Sequence, residues 1–139
     1  MKFSDFINGR DGKKTSKDKE LAKALLDNSL KDLKFLGPLE INPHSSRKIM
    51  SNYYDVLRSI LEAITALDGY KIYSHEAFAY FLREKGEEVM SSKFDRFRKI
   101  RNKINYYGED ISVEETKENI DEIKKMIKTL TVSYLKDIL

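Results

Sequence analysis

The chain contains no cysteine, which excludes disulfides, thiolate metal sites and a cysteine nucleophile. Its two prolines, Pro38 and Pro43, both fall within "GPLEINPH", so proline interrupts helix only there. The two histidines are His44 and His75. No His/Asp/Glu cluster has metal-ligand spacing, and the six glycines form no phosphate-cradling loop, so no metal and no cofactor is called for. No apolar run approaches the roughly 18 residues of a membrane span. The opening stretch "MKFSDFINGRDGKKTSKDKE" lacks the apolar core of a secretion signal, and the expected location is cytoplasmic, with no membrane partner. Period-two alternation is absent, as are repeats and low-complexity segments.

What is present is helical periodicity and unevenly placed charge. The 139 residues are enough for one domain with a real core, and 35% of them are charged. The formal net charge is only +3, but residues 93–103 carry a local +5, residues 1–19 a local +3 and the remainder −5. A charge run of this kind is either a solvated helix face or a surface that meets phosphate.

The expected fold is all-α: an antiparallel four-helix bundle with one additional short helix. Residues 1–14, with Gly9 and Gly12 among lysines, are expected to form a mobile N-terminal tail, and residues 15–139 the single helical domain. The first long helix is predicted over Lys17–Phe35, with Leu21, Leu25, Leu26, Leu33 and Leu36 on one stripe. The second starts near Ser45 or Ser46 and ends at "DGY", with Ile49, Tyr53, Val56, Leu57, Ile60, Ile64 and Leu67 as its stripe. Ser74 is the predicted N-cap of the short helix, which Gly86 stops. Another helix runs from Ser91 or Ser92 to Tyr107. "SVEE" at Ser112–Glu115 is a capping box that opens the last helix, with Val113, Ile120, Ile123, Ile127, Leu130, Tyr134 and Ile138 as its apolar positions.

One helix breaks its own pattern. In "RFRKIRNKINYYGED", Phe94, Phe97, Ile100, Ile104, Tyr107 and Gly108 share an arc at about 100° per residue, and Arg101 falls inside that arc. Arg98 and Asn105 lie at its edge, with Asn102 slightly beyond. An arginine on a core-facing stripe is costly unless its charge is paired and its donors are used. On the preceding long helix Asp55, Ser59 and Glu62 share one face, interrupted by Ala63 and Ala66. Two readings follow. Either Arg101 pairs with Asp55 or Glu62 as a structural ion pair, or it binds phosphate in a groove with Asn102 in support. The small residues Ala63 and Ala66 predict close approach of another helix, here of a second copy, through these two helices.

"YYDVLRSILEAITALDGYKIYSHEAFAYFL" followed by "FRKIRNKINYYGED" resembles the HEPN domain, over about residues 17–135, and is most similar to its small stand-alone archaeal and bacterial members. In that family an arginine and a histidine a few residues later form an active site in a dimer cleft. Many members are metal-independent ribonucleases. Others bind nucleotides, or act in toxin–antitoxin pairs with a small nucleotidyltransferase. The resemblance implies catalytic roles for Arg101, Asn102 and Tyr106, with Arg98, Asn105, Tyr107, Asp55 and Glu62 as ligand-binding neighbours. It also implies a homodimer, with RNA or a nucleotide as ligand and a nucleotidyltransferase as an alternative partner. Tyr106 stands where the histidine belongs. A phenol with pKa about 10 is ionised about one part in a thousand at neutral pH, so it makes a poor base where imidazole makes a good one. A weak or inactive ribonuclease is therefore expected. The only other candidate for the missing imidazole is His75, in the first turn of the short helix.

Overall fold

A computed structural model describes residues 1–139. In chain order the elements are α1 (Ser4–Ile7), β1 (Gly12–Lys14), α2 (Lys19–Leu36), α3 (Ser46–Asp68), β2 (Tyr70–Ile72), α4 (His75–Glu84), α5 (Glu88–Tyr107) and α6 (Val113–Tyr134), closed by a 3-10 turn at Lys136–Ile138. The protein is mostly helical, as its periodicity requires, with a two-stranded antiparallel sheet in addition.

Three helices, α2, α4 and α6, start where a short polar side chain offers an oxygen to a free N–H. Asp18 accepts from Leu21 N at 3.0 Å, Ser74 from Ala77 N at 3.3 Å and Ser112 from Glu115 N at 3.1 Å. At the start of α3, Asn42 does this work in place of Ser45. Its Oδ1 accepts from His44 N and Ser45 N at 2.9 and 3.0 Å, turning the chain into the helix. The expected cap at Ser91 or Ser92 is incorrect, because α5 begins a turn earlier. Ser91 is buried and donates its hydroxyl to the Ala79 carbonyl at 2.6 Å, tying α5 to α4.

α3 is the central helix and packs against α2, α5 and α6. Ile49, Tyr53, Val56, Leu57, Ile60 and Ile64 form its buried stripe, and Tyr54, Leu61, Ala63 and Ala66 extend burial round most of its circumference. α2 runs against it in reverse, since Asp18 N donates to Ala66 O at 2.9 Å while Leu36 lies beside Val56. α5 also runs in reverse: Ser51 meets Asn105, and one turn further along Asp55 meets Arg101. α6 reverses against α5, with Tyr134 bonded to Glu87 and Glu122 paired with Lys93 and Arg96.

Four expectations need correction. Residues 1–14 are not a detached tail: Phe3, Phe6 and Ile7 are buried, and β1 pairs with β2, Gly12 opposite Ile72. Strands of three residues are too short to show alternation, so neither was visible in the sequence. Ala63 and Ala66 are buried within the chain, so they offer no face to a second copy. Leu21 is exposed, and Ala22, Leu26, Ser29 and Leu36 are the buried positions of α2 instead. Tyr107 is exposed to solvent rather than buried with the apolar arc of α5, at the end of the helix next to Gly108.

The sheet has a positional consequence. Gly69 ends α3 in the left-handed region at φ 85°, and its carbonyl accepts from Thr15 N at 2.8 Å. Beyond β2, Tyr73 N and Ser74 N both donate to the Asp11 carbonyl. The N-terminal segment thus fixes the turn that places His75 at the head of α4.

Candidate functional site

Arg101 sits where α3, α4 and α5 converge. Its side chain is only 17% exposed. α5 carries it there because Phe94, Phe97 and Ile104 on the same face are buried in the core, and one helical turn separates Arg101 from Phe97. The guanidinium carbon lies 5.7 Å from the ring centre of Tyr54 and 5.6 Å from that of Tyr106, within cation–π range of both. Nη1 donates to the Tyr106 hydroxyl at 3.3 Å. Nη2 lies 4.0 Å from an Asp55 oxygen, the outer limit of an ion pair. Nε is buried and has no hydrogen-bond partner. The charge is therefore desolvated more than it is neutralised.

Two further arginines stand nearby, each with a closer partner. Arg58 Nη1 is 3.4 Å from Glu62. Arg98 Nε and Nη2 donate to one oxygen of Asp95 at 3.0 and 2.7 Å. Burial pulls the Asp95 carboxyl upward, but hydrogen bonds from Arg98 and Lys99 outweigh it and hold the group below its usual value. Asp55 behaves in the opposite way. Burial pushes it above the usual carboxylate value despite opposing fields from Arg101, Arg58 and Lys48. The one carboxylate facing Arg101 is thus the one least disposed to stay charged.

Beneath Arg101 lies a pair that the sequence did not reveal. The Tyr54 hydroxyl is 2.8 Å from His75 Nδ1, and the Tyr54 ring stacks on His75 at 5.7 Å and on Phe94 at 5.5 Å. Burial raises Tyr54 well above its ordinary range, and the tautomer of His75 decides which of the two donates. Burial first, then the positive fields of Arg58, Arg101 and Arg98, push His75 down to about 4. A neutral imidazole that accepts at Nδ1 carries its own proton on Nε2. His75 and Arg101 therefore share Tyr54 as a common support.

Of the residues singled out in the sequence, Arg101, Asp55 and Tyr106 come together, and Arg98 joins them through its field on Tyr54 and His75. Glu62 is held by Arg58 and not by Arg101. Asn105 accepts from Ser51 Oγ at 3.0 Å, joining α5 to α3. Asn102 is half-buried. Tyr106 and Tyr107 are 69% and 78% exposed, the first over Arg101 and the second outside the cluster. Tyr54, Arg58 and Asp95 were overlooked. A signal existed for Arg58, which lies three and four residues from Asp55 and Glu62 on one helix face. The remaining histidine, His44, is exposed in the turn before α3.

A groove opens beside the cluster, between the end of α2 and α3. Its volume is about 340 Å³, and Asp55 and Arg58 belong to both it and the cluster. No group of three or more His, Asp or Glu side chains could hold a metal ion, and no helix is long and apolar enough to cross a membrane. No protein-family model, curated protein or solved structure matches the chain.

Proposed function

We propose that the protein is a HEPN-type helical bundle that binds the phosphate of a nucleotide or of RNA at Arg101. The observation that carries this reading is the state of the guanidinium: mostly buried, with Nε unpartnered and its one carboxylate at 4.0 Å and 47% exposed. A structural arginine is normally settled by close bidentate acceptors. Arg98 has two close hydrogen bonds to one Asp95 oxygen, and Arg101 has no carboxylate so close. A phosphate oxygen arriving at Arg101 supplies the missing charge and displaces Asp55 toward water, where that carboxylate is already half-exposed.

Arg58 and Arg98 add positive field without giving up their own partners. Tyr106, in van der Waals and hydrogen-bond reach of Arg101, closes the site from the solvent side. In phosphodiester cleavage the chain's groups would divide as follows. Arg101 stabilises the charged phosphorane, Asn102 orients an oxygen, and Tyr106 or His75 moves the proton. His75, pushed down to about 4, is a poor base at neutral pH. Slow, metal-independent cleavage or binding without cleavage follows from that chemistry. The exposed Tyr106 at the mouth supports a homodimer that would close the cleft from two sides, and a nucleotidyltransferase is the alternative occupant of the same face.

A second reading has one specific observation in its favour. Asp55 does face Arg101, and a purely structural ion pair needs no ligand. Titration of pyrophosphate into the protein by calorimetry separates the two. Binding that weakens with a log–log salt slope of about −1 or steeper, and that disappears in Arg101→Met, supports the phosphate site. No heat above dilution in either protein at millimolar pyrophosphate leaves the structural pair as the correct reading.

A further inference from the structure

The groove between α2 and α3 is lined by Asp32, Phe35, Asn52, Asp55, Arg58 and Ser59, with Leu36 and Val56 as its apolar floor. Its position relative to Arg101 is fixed by shared side chains. Asp55 lines the groove and faces Arg101, while Arg58 lines the groove and contributes to the positive field on Tyr54 and His75. The groove therefore adjoins the Arg101 cluster across Asp55. Phe35 also lines the groove and is 68% exposed.

A phenylalanine so exposed on the last turn of a helix contributes little to the core. The core positions of that turn are Leu33 and Leu36. A bare aromatic at the rim, with amide, hydroxyl and carboxylate groups along the wall, matches what a flat heteroaromatic ring with hydrogen-bonding edges requires. The ring stacks on a π-face, and Asn52, Ser59 and Asp32 offer donors and acceptors at its edge. The volume of about 340 Å³ lies at the small end of ligand clefts, suited to one base and sugar rather than to a dinucleotide.

We infer that this groove is a nucleobase subsite, in which the base of a nucleotide stacks on Phe35 while its phosphate is held at Arg101. The inference rests on the phosphate reading above and adds to it the class of group attached to that phosphate. Stacking tolerates any base, so the subsite selects nucleotides over other phosphate esters more strongly than it selects one base over another.

The test compares adenosine and guanosine monophosphate with ribose 5-phosphate by calorimetry, in wild type, Phe35→Ala and Phe35→Tyr. Each nucleotide should bind at least about tenfold more tightly than ribose 5-phosphate to wild type. Phe35→Ala should erase that advantage and leave ribose 5-phosphate affinity within about twofold, and Phe35→Tyr should retain it. Phe35 is exposed, so neither variant is expected to disturb folding, and circular dichroism checks this. Equal affinity of nucleotides and ribose 5-phosphate for wild type overturns the subsite and leaves the phosphate site standing. An unchanged nucleotide advantage in Phe35→Ala also overturns it. If none of the three compounds binds, the phosphate reading fails and the subsite fails with it.

Discussion

Replacing Arg101 by methionine keeps most of the side-chain volume and removes the charge. Its effect on stability can be worked from the contacts. The variant loses two cation–π contacts, with Tyr54 and Tyr106, worth about 0.5–1 kcal/mol each. It loses an ion pair at 4.0 Å to a carboxylate 47% exposed, worth about 0–1 kcal/mol at such exposure. It gains relief from burying Nε without a partner, a penalty of about 1–3 kcal/mol. Asp55 is left able to turn to water. The terms nearly cancel, and Arg101→Met should unfold in urea within about 1 kcal/mol of wild type, a change of roughly 5 °C or less in Tm for a chain of this length. Phosphate binding should be lost at the same time. A loss of about 3 kcal/mol or more, the usual result of breaking a buried pair whose partner stays charged, would refute the reasoning. In that case the Asp55–Arg101 contact is a structural element of the bundle. Asp55→Asn completes the cycle, and a coupling energy under about 1 kcal/mol between the two positions is expected.

Three other outcomes follow from the same geometry. His75 is pushed from 6.5 to about 4 in the folded chain, so the unfolded chain takes up its proton first as the pH falls. The stability it contributes is therefore whole above pH 6.5 and is lost between 6.5 and 4. His75→Gln should remove about 1–2 kcal/mol of that acid-induced loss, after allowance for solvent screening, in urea titrations at pH 7.5 and 4.5. Tyr106→His puts a titrating ring over Arg101. Cleavage of single-stranded RNA should then rise above wild type in chelator, with an inflection near about pH 6–7, and fall to background when Arg101→Ala is added. Equal rates for wild type and Tyr106→His would show that another group moves the proton. Gly69 sits at φ 85°, and a Cβ there would meet the Thr15 carbonyl at 2.9 Å, so Gly69→Ala should cost about 1–3 kcal/mol in urea unfolding. An unchanged midpoint would contradict both the backbone strain at this φ and the contact with the Thr15 carbonyl.

The helical content was legible because apolar residues recur at helical spacing over long stretches, and the caps at Ser74 and Ser112 lie where their side chains predict. The misfit of Arg101 was legible for the same reason: a charge on an apolar stripe stands out against a regular period. The sheet was not, since β1 and β2 pair residues far apart in sequence and each is only three residues long. That omission hid the order of residues 1–14, and with it the anchoring of the turn before His75. Tyr54 was hidden by its neighbour. "YY" offers two aromatics in succession, and only tertiary contact shows that both Tyr53 and Tyr54 are buried, on different sides of α3. Asp95 was lost in the surrounding basic run, where one acid looks like dilution of charge and is in fact the partner of Arg98.

The most direct measurement is a nuclear magnetic resonance titration that follows the Arg101 Nε–H signal and the His75 ring signals as adenosine monophosphate is added. Phosphate held at Arg101 should shift both sets of signals together along one saturable curve. Its midpoint should move to higher ligand concentration when salt is raised from about 50 to 200 mM. Arg101 and His75 signals that stay fixed at millimolar nucleotide, while the protein remains folded, would contradict a phosphate site at this cluster.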